Sequence, residues 1–374
     1  MKYKFEDIIH NVTAKKKPTE EDKYSYIALE HIDSENLNIT RWGSDVAPSG
    51  EKIVIKKGDV LFGKRRAYQK KVAISPIDGI FSAHGMAFRP KEDVICKEFL
   101  PFFISSDTFL NEAIRISVGG LSPTINWKDI KELKFDLPPI EEQKRLSEKL
   151  WAAYEVKQSY INMIAATDEM VKSQFIEMFK DTKRERLGDF CTTHARIGWQ
   201  KLTRAEFLDM GDYYLITGWD IMDDHTVDFS KCKYVSKERY EQDPKLIMRE
   251  DDVLLTKDGT LGKVAIVRGL DKPATLNGHI FVIRSKDGRI IPEFLIGLFT
   301  SNEFICQLND NKVGSTIAGI TQKSLLEFQI PVATIEEQLD FVSIMKQADK
   351  SKSELRKSIE SINKVIKSLI NENL

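Results

Sequence analysis

Hydrophobic positions along the chain follow two different rhythms. Short alternating or β-branched runs occupy Tyr24–Leu29, Lys52–Phe62 and Val72–Ser75, and later Tyr213–Thr217, Asp252–Thr256, Val264–Arg268 and His279–Arg284. Turn signals separate them (Lys57-Gly58-Asp59, Ile77-Asp78-Gly79, Asp258-Gly259, Lys286-Asp287-Gly288), so these runs predict strands. Around 97–114 and 292–308, Phe, Leu and Ile recur at three and four, which predicts helices.

The longest periods lie elsewhere. In steps of four and three, one seam reads Leu146, Leu150, Ala153, Lys157, Tyr160, Ile164, Thr167, Val171. A second reads Phe341, Met345, Ala348, Lys352, Leu355, Ile359, Ile362, Ile366, Leu369. Neither stretch contains Gly or Pro, and each predicts a helix of about 40 residues, roughly 60 Å long. Pro138 and Pro139 precede the first helix, and Glu141-Glu142 and Glu336-Glu337 place negative charge where each helix dipole favours it.

The two seams are copies. Leu137-Pro-Pro-Ile-Glu-Glu-Gln143 recurs as Val332-Ala-Thr-Ile-Glu-Glu-Gln338, an offset of 195 (336 − 141). At that offset about 14 of the 46 positions from Glu98 to Gln143 are identical without a gap, which marks a duplication. His84 and His279 share the offset, as do Arg89 and Arg284; equivalent positions of this kind mark fold before ligand. Further upstream the offset slips, so that Gly58-Asp-Val-Leu61 meets Asp251-Asp-Val-Leu254 and Lys71-Val-Ala-Ile74 meets Lys263-Val-Ala-Ile266.

Narrow apolar stripes need a partner, and the simplest partner is the other helix. The predicted fold class is α+β: two duplicated domains, each followed by a long helix, the helices packed as an antiparallel coiled coil. Expected boundaries are 1–139 and 183–334 for the domains, and 140–182 and 335–374 for the helices. Pairing is expected through Leu146, Leu150, Tyr160, Ile164 and Val171 on one side. Phe341, Met345, Leu355, Ile359, Ile362 and Ile366 form the other. Each domain is expected to hold one twisted, partly antiparallel sheet. The domains are expected at opposite ends of a rod, related by approximate two-fold symmetry.

Composition narrows the function. With 41% hydrophobic and 30% charged residues, the chain can bury cores and keep a polar surface. No apolar run approaches a membrane span, and the N-terminus lacks a signal-peptide stretch, so a cytoplasmic protein without a membrane partner is expected. Cys96, Cys191, Cys232 and Cys306 are scattered, which favours reduced thiols over structural zinc. A net charge of −1 leaves polyanion binding to local basic patches.

Catalytic motifs are not found. Gly259-Thr-Leu-Gly262-Lys263 has Lys257 and Val264 where a phosphate-binding loop needs Gly and Ser or Thr. No glycine-rich dinucleotide fingerprint opens a helix. Leu137-Pro-Pro-Ile140 lacks the polar and aromatic residues that hold a flipped adenine. Glu132-Leu-Lys134 and Glu155-Val-Lys157 match a nuclease tail only superficially, and the six histidines show no metal spacing. The chain is read as non-catalytic, with no metal site and no cofactor of its own.

The better signal is a predicted loop carrying Lys64, Arg65, Arg66, Tyr68, Gln69, Lys70 and Lys71. Its counterpart carries Thr256, Lys257, Thr260 and Lys263. Arg and Gln suit base edges, Lys and Thr suit phosphates, and glycine permits close backbone approach. From charge alone a solvated hairpin explains the first loop equally well. The same loop in both repeats with divergent content is what reading two different half-sites requires. Polar glycine turns at Gly119–Thr124 and Gly314–Thr316 are weaker candidates, and Trp42 and Trp219 are read as core or rim residues before base platforms.

The whole chain resembles the specificity subunits of type I restriction-modification systems. The residues that carry this are Leu137–Gln143 and its echo Ile335-Glu-Glu-Gln338, Ile27–Ile32, Leu215–Asp220, Gly58–Leu61 with Asp252–Leu254, and His279–Arg284. Ala333-Thr334 replaces the two prolines in the second copy, and the helix start is expected to survive because Glu336 and Glu337 remain. The resemblance implies sequence-specific binding of double-stranded DNA at a bipartite asymmetric target. It also implies helices that set the spacing and dock two methyltransferase subunits, joined by motor-nuclease restriction subunits. S-adenosylmethionine, ATP and Mg are then expected on those partners. A rod of roughly 60 Å would span at most about 18 base pairs. The alternative reading is a coiled-coil adaptor joining two protein-binding domains.

Overall fold

The computed structural model describes residues 1–196, 198, 202–313 and 319–374. Two compact units emerge: Met1–Ile161 with Arg356–Leu374, and Asn162–Leu355. Each is α+β.

In the first unit, β1 (Ile9–Asn11), β2 (Val60–Phe62), β3 (Val72–Ile74) and β4 (Met86–Pro90) form an antiparallel sheet in the order β1-β4-β2-β3. The helix α1 (Ile140–Phe179) follows. In the second unit β5 (Cys191–His194), β6 (Val253–Thr256), β7 (Val264–Ile266) and β8 (Ile280–Ser285) repeat that order as β5-β8-β6-β7. The helix α2 (Ile335–Asn371) begins after it.

One sheet per domain was the expectation; each unit instead pairs two short strands (Lys2–Lys4 with Lys134–Asp136, and Arg184–Arg186 with Gln329–Pro331) and also holds a second packed sheet. In the first it runs Lys15–Lys16, Lys52–Ile55, Gly79–Phe81, Tyr26–Ile27, the last pair being parallel. In the second it is three-stranded, Lys233–Val235, Tyr213–Ile216, Ala274–Leu276. The reason is written in the strands, whose side chains alternate between two cores. Val60 and Phe62 enter a cluster with the helices, while Leu61 enters a cluster with Ile27, Ile53 and Phe81. Likewise Val253 and Leu255 face Phe294 and Leu295, and Leu254 faces Ile216 and Leu276. A strand covered on both faces reads as a continuous apolar run.

Two predicted elements divide. Lys52–Phe62 is not one strand, because Gly58 adopts φ +91° and turns the chain, its N–H donating to Ser75 O at 2.9 Å. The helical pattern at 97–114 splits into Leu100–Ser105 and Asp107–Arg115 at Ser106, whose hydroxyl accepts from Phe109 N. Ser301 does the same for Phe304 N between Pro292–Thr300 and Asn302–Asp310.

The repeated Glu-Glu-Gln motif earns its glutamine structurally. Gln143, fully buried, accepts from Cys96 N and donates to Val94 O and Pro138 O, each at 2.9 Å. Gln338 makes the same three bonds, to Ile291 N, Arg289 O and Ala333 O, at 2.8–3.0 Å. Thr334 replaces the lost prolines by a reciprocal cap: its N–H and hydroxyl donate to Glu337, and its hydroxyl accepts from Glu337 N.

Helix pairing is visible within each unit. In the first, Leu146, Leu150 and Tyr154 of α1 share a core cluster with Ile366, Leu369 and Ile370 of α2. In the second, Phe175 of α1 lies 5.2 Å from Phe341 of α2, and Asp168 Oδ1 accepts from Lys352 Nζ at 2.7 Å. Rising numbers on one helix meet falling numbers on the other, so the pair is antiparallel there. None of the predicted seam positions is exposed. Leu146, Leu150 and Phe341 are buried; Tyr160, Ile164, Val171, Met345, Leu355, Ile359, Ile362 and Ile366 are half-buried.

Candidate nucleic-acid interface

Each candidate loop connects a central strand of a main sheet to the edge strand beside it. In the first unit the loop leaves β2 and returns through β3. Arg66 and Lys70 adopt left-handed backbone conformations (φ 56° and 50°) around a short 3-10 turn at Ala67–Gln69. That turn buries Ala67 and leaves Arg65, Arg66 and Tyr68 exposed.

A second loop, Ser117–Ile125, lies alongside. Arg65 bridges to Thr124, Ile125 N donates to Lys64 O at 3.0 Å, and Arg66 N donates to Pro123 O at 2.7 Å. The Arg66 guanidinium donates to Ser122 Oγ at 3.0 and 3.1 Å. Leu121 is 97% exposed between these groups and the preceding glycines. The structure thus brings together Lys64, Arg65 and Arg66 with the weaker candidate turn at Gly119–Thr124.

The remaining loop residues turn elsewhere. Lys70 Nζ sits 3.3 Å from Asp107 Oδ1, and Lys71 Nζ donates to Leu29 O at 2.6 Å. Gln69 uses its carbonyl to accept from Ser34 Oγ. Lys70 and Lys71 hold the loop's base, which corrects the expectation that all five charges face a ligand. Lys15, exposed on the neighbouring strand, joins the patch instead; burial first and then Lys15 hold the Lys64 ammonium below its ordinary value. Burial, Arg65, Lys64 and Lys52 likewise lower His84, so a cation field surrounds this loop.

The second unit reproduces the platform with different chemistry. Ile320 N donates to Lys257 O at 2.9 Å, and Asp258 bridges to Gly319 as Arg65 does to Thr124. Thr256 is 1% exposed, its hydroxyl donating to Thr260 O and accepting from Lys263 N at 2.9 Å. It closes the turn and cannot contact a ligand, a second correction. Lys263 Nζ reaches back to Ile221 O at 3.3 Å, much as Lys71 does in the first unit. The Lys257 side chain is 14% exposed, 3.3 Å from Asp258 and over the Phe281 ring. Of the four predicted residues only Thr260 is exposed. Gly314–Thr316 lie outside the described residues.

Trp219, read from the sequence as core or rim, stands at the surface. Trp219 is 87% exposed, on a turn fixed by the buried Asp220 carboxylate, which accepts from Thr217 N at 2.7 Å and Thr217 Oγ1 at 2.9 Å. The same turn in the first unit is fixed by His31, whose Nδ1 accepts from Ala28 N at 3.0 Å, so Glu30 stands where Trp219 stands. Burial raises the Asp220 carboxyl, and the Thr217 bonds oppose it. Trp42 is partly exposed at 42%.

Two of the residues weighed for catalysis hold structural contacts, one an ion pair and one a bond to a backbone carbonyl. Glu132 accepts from Lys4 Nζ at 2.8 Å, and Lys157 donates to Glu35 O at 3.3 Å. Among the described residues no group of three or more His, Cys, Asp or Glu could hold a metal ion. No helix among them is long and apolar enough to cross a membrane.

Comparison with known proteins agrees with this architecture. A family model for the type I restriction modification DNA specificity domain matches residues 2–160 and again 180–365. The chain is 22% identical over 380 residues to the type I restriction enzyme MjaVIII specificity subunit of Methanocaldococcus jannaschii, covering 94% of this chain and 85% of that one. It is 25% identical over 183 residues to the EcoDI specificity subunit of Escherichia coli, covering 47% and 40%. A chain from a structure describing complex assembly and conformational transition of the type I R-M system shares the fold at a TM-score of 0.60, with 18% identity, over 100% of this chain and 97% of that one. The two matched segments fall on the two copies of the repeat, and the chain belongs to the type I restriction-modification DNA specificity family.

Proposed function

We propose that each unit reads one half of a bipartite, asymmetric target in double-stranded DNA, and that the chain directs methyltransferase and restriction subunits to that target without catalysing either reaction. The observation that carries this is the paired-loop platform: the same backbone bridges recur in both units (Arg65 with Thr124, Asp258 with Gly319), while the side chains they present differ. Equivalent scaffolds with unequal polar tips are what two dissimilar half-sites demand. In the first unit Lys64, Arg65, Arg66 and Tyr68 are the contacting set; in the second, Thr260 and the neighbouring Trp219.

The helices act as spacer and docking surface for two methyltransferase subunits, their apolar seam covered and their flanks charged. S-adenosylmethionine, ATP and Mg belong to the partner subunits in this reading, and the protein works in the cytoplasm. The family match disfavours a coiled-coil adaptor joining two protein-binding domains.

The test is methylation mapping of DNA from cells carrying this chain with its partner subunits. A split motif with dissimilar halves is expected. The triple substitution of Lys64, Arg65 and Arg66 by Ala should relax or abolish one half and leave the other. Normal methylation of both halves by that variant would sink the assignment of the loop.

A further inference from the structure

His84 and His279 occupy equivalent places beside the two recognition loops, yet they face residues of opposite charge. The Arg65 guanidinium Nη1 is 3.5 Å from His84 Nε2, whereas His279 Nδ1 is hydrogen-bonded to the Asp258 carboxylate. Arg65 and Asp258 are themselves equivalent, because each bridges to the second loop one residue after the carbonyl that receives Ile125 N or Ile320 N.

Proton accounting then separates the two stations. A guanidinium only donates, so His84 Nε2 is the acceptor in that contact, and the exposed Arg65 keeps its other N–H groups for a ligand. A carboxylate only accepts, so Nδ1 of His279 carries the donated proton. In the tautomer that donates from Nδ1, Nε2 has no hydrogen-bond partner among the described residues and is left as an acceptor, on a side chain 62% exposed. The second Asp258 oxygen is 3.3 Å from Lys257 Nζ, so Asp258 is itself occupied and serves to orient the ring.

We propose that these two stations set opposite base-edge polarity in the two half-sites. Arg65 donates to the acceptor edge of a guanine, and His279, oriented by Asp258, accepts from an exocyclic amino group of adenine or cytosine. This rests on the reading that the paired loops face DNA. In the major groove guanine presents N7 and O6 as acceptors, while adenine N6 and cytosine N4 are donors, so the two chemistries select different bases.

The experiment uses the full chain with its methyltransferase partners at pH 8. Methylation rates are measured on duplexes in which each base pair of the target is replaced in turn. Arg65→Ala should reduce discrimination at one G·C pair of one half-site by roughly 5- to 100-fold. His279→Ala should do so at one pair of the other half-site only. Wild type should lose the same factor when that base is replaced by a purine or pyrimidine analogue lacking the amino group, and His279→Ala should lose nothing further. The adenine and cytosine analogues tell the two donors apart. Asp258→Ala should match His279→Ala, and Asp258→Asn, which can still accept from Nδ1, should restore discrimination. The half-site not targeted by a variant reports that the protein is folded.

Unchanged base preference in His279→Ala, or a uniform fall at every position, overturns the proposal while the two-half-site reading stands. So does relaxation at a pair where Arg65 would meet no guanine. Absence of any split methylation target for the wild type removes that reading and this proposal together.

Discussion

Arg89 Nε lies 2.6 Å from Asp59 Oδ1, and Arg284 Nε lies 2.6 Å from Asp252 Oδ1 at the equivalent place in the second unit. Each Asp also caps the turn before its strand, accepting from Lys56 N or Arg249 N at 2.8 Å. The pair therefore fixes the entry of β2 and β6, the strands that lead into the candidate loops. Arg284 is the more enclosed, its side chain 17% exposed against 40% for Arg89, and it donates further to Lys245 O and Ile247 O.

Asp252→Ala should destabilise the second unit by about 3 kcal/mol, because it strands a largely buried guanidinium. Asp59→Ala should cost less, since Arg89 can return to water. Hydrogen exchange at the amides of Val253–Thr256 and Val60–Phe62 resolves the two units separately. Equal losses in both would contradict the difference in enclosure.

The seam lysines are not alike. Burial lowers Lys352, but the hydrogen bonds it donates to Asp168 and Asp349 outweigh it and leave the ammonium above its ordinary value of 10.5. A Lys raised in the folded state contributes stability that is complete below 10.5 and is lost as pH climbs through the raised value. The stability difference between wild type and Lys352→Met should accordingly stay constant from pH 7 to pH 9 and change only above about pH 10.5. Urea titrations at each pH check this. Lys157, at the equivalent position, is lowered by burial, and Asn363 of the second copy stands where the first copy has Asp168, 195 residues earlier.

Loop lysines and loop arginines should separate in salt dependence. Arg66→Ala is expected to flatten the slope of log K against log salt by about 0.9 for a lost phosphate contact. Lys71→Met should leave the slope unchanged and lower the melting temperature, because its ammonium caps Leu29 O. Binding isotherms of the assembled complex at several salt concentrations measure both. A slope change in Lys71→Met would return that residue to the interface.

Trp219→Ala should leave unfolding within about 0.5 kcal/mol of wild type, as expected for a side chain 87% exposed. Target binding should weaken by about fivefold or more if the ring stacks on a base or sugar. Loss of stability without loss of binding would make it a packing residue.

Much of the scaffold was legible because duplication doubles every signal. The 195-residue offset located both helices, and steps of three and four found seam positions that the structure keeps from solvent. The second sheet was hidden, because strands covered on both faces show no alternation: Val60, Leu61 and Phe62 look alike although they enter different cores. Charge misled at the loops. Lys71 and Lys263 look like ligands in sequence, and only the fold reveals carbonyls within their reach. Thr256 is concealed by the turn it closes. Trp219 carried a usable signal, an indole next to glycine in a polar turn, but exposure cannot be read from residue type.

The first unit takes its core from both ends of the chain: Ile366, Leu369 and Ile370 pack with Leu146 and Leu150, whereas the second unit is the single stretch Asn162–Leu355. On a ribosome the order of completion is therefore inverted relative to the order of synthesis. Residues 1–161 emerge first yet must wait, partly uncovered, for the final turns of α2, while the stretch made after them can close on its own. Vectorial translation makes the earlier-born unit the last to mature.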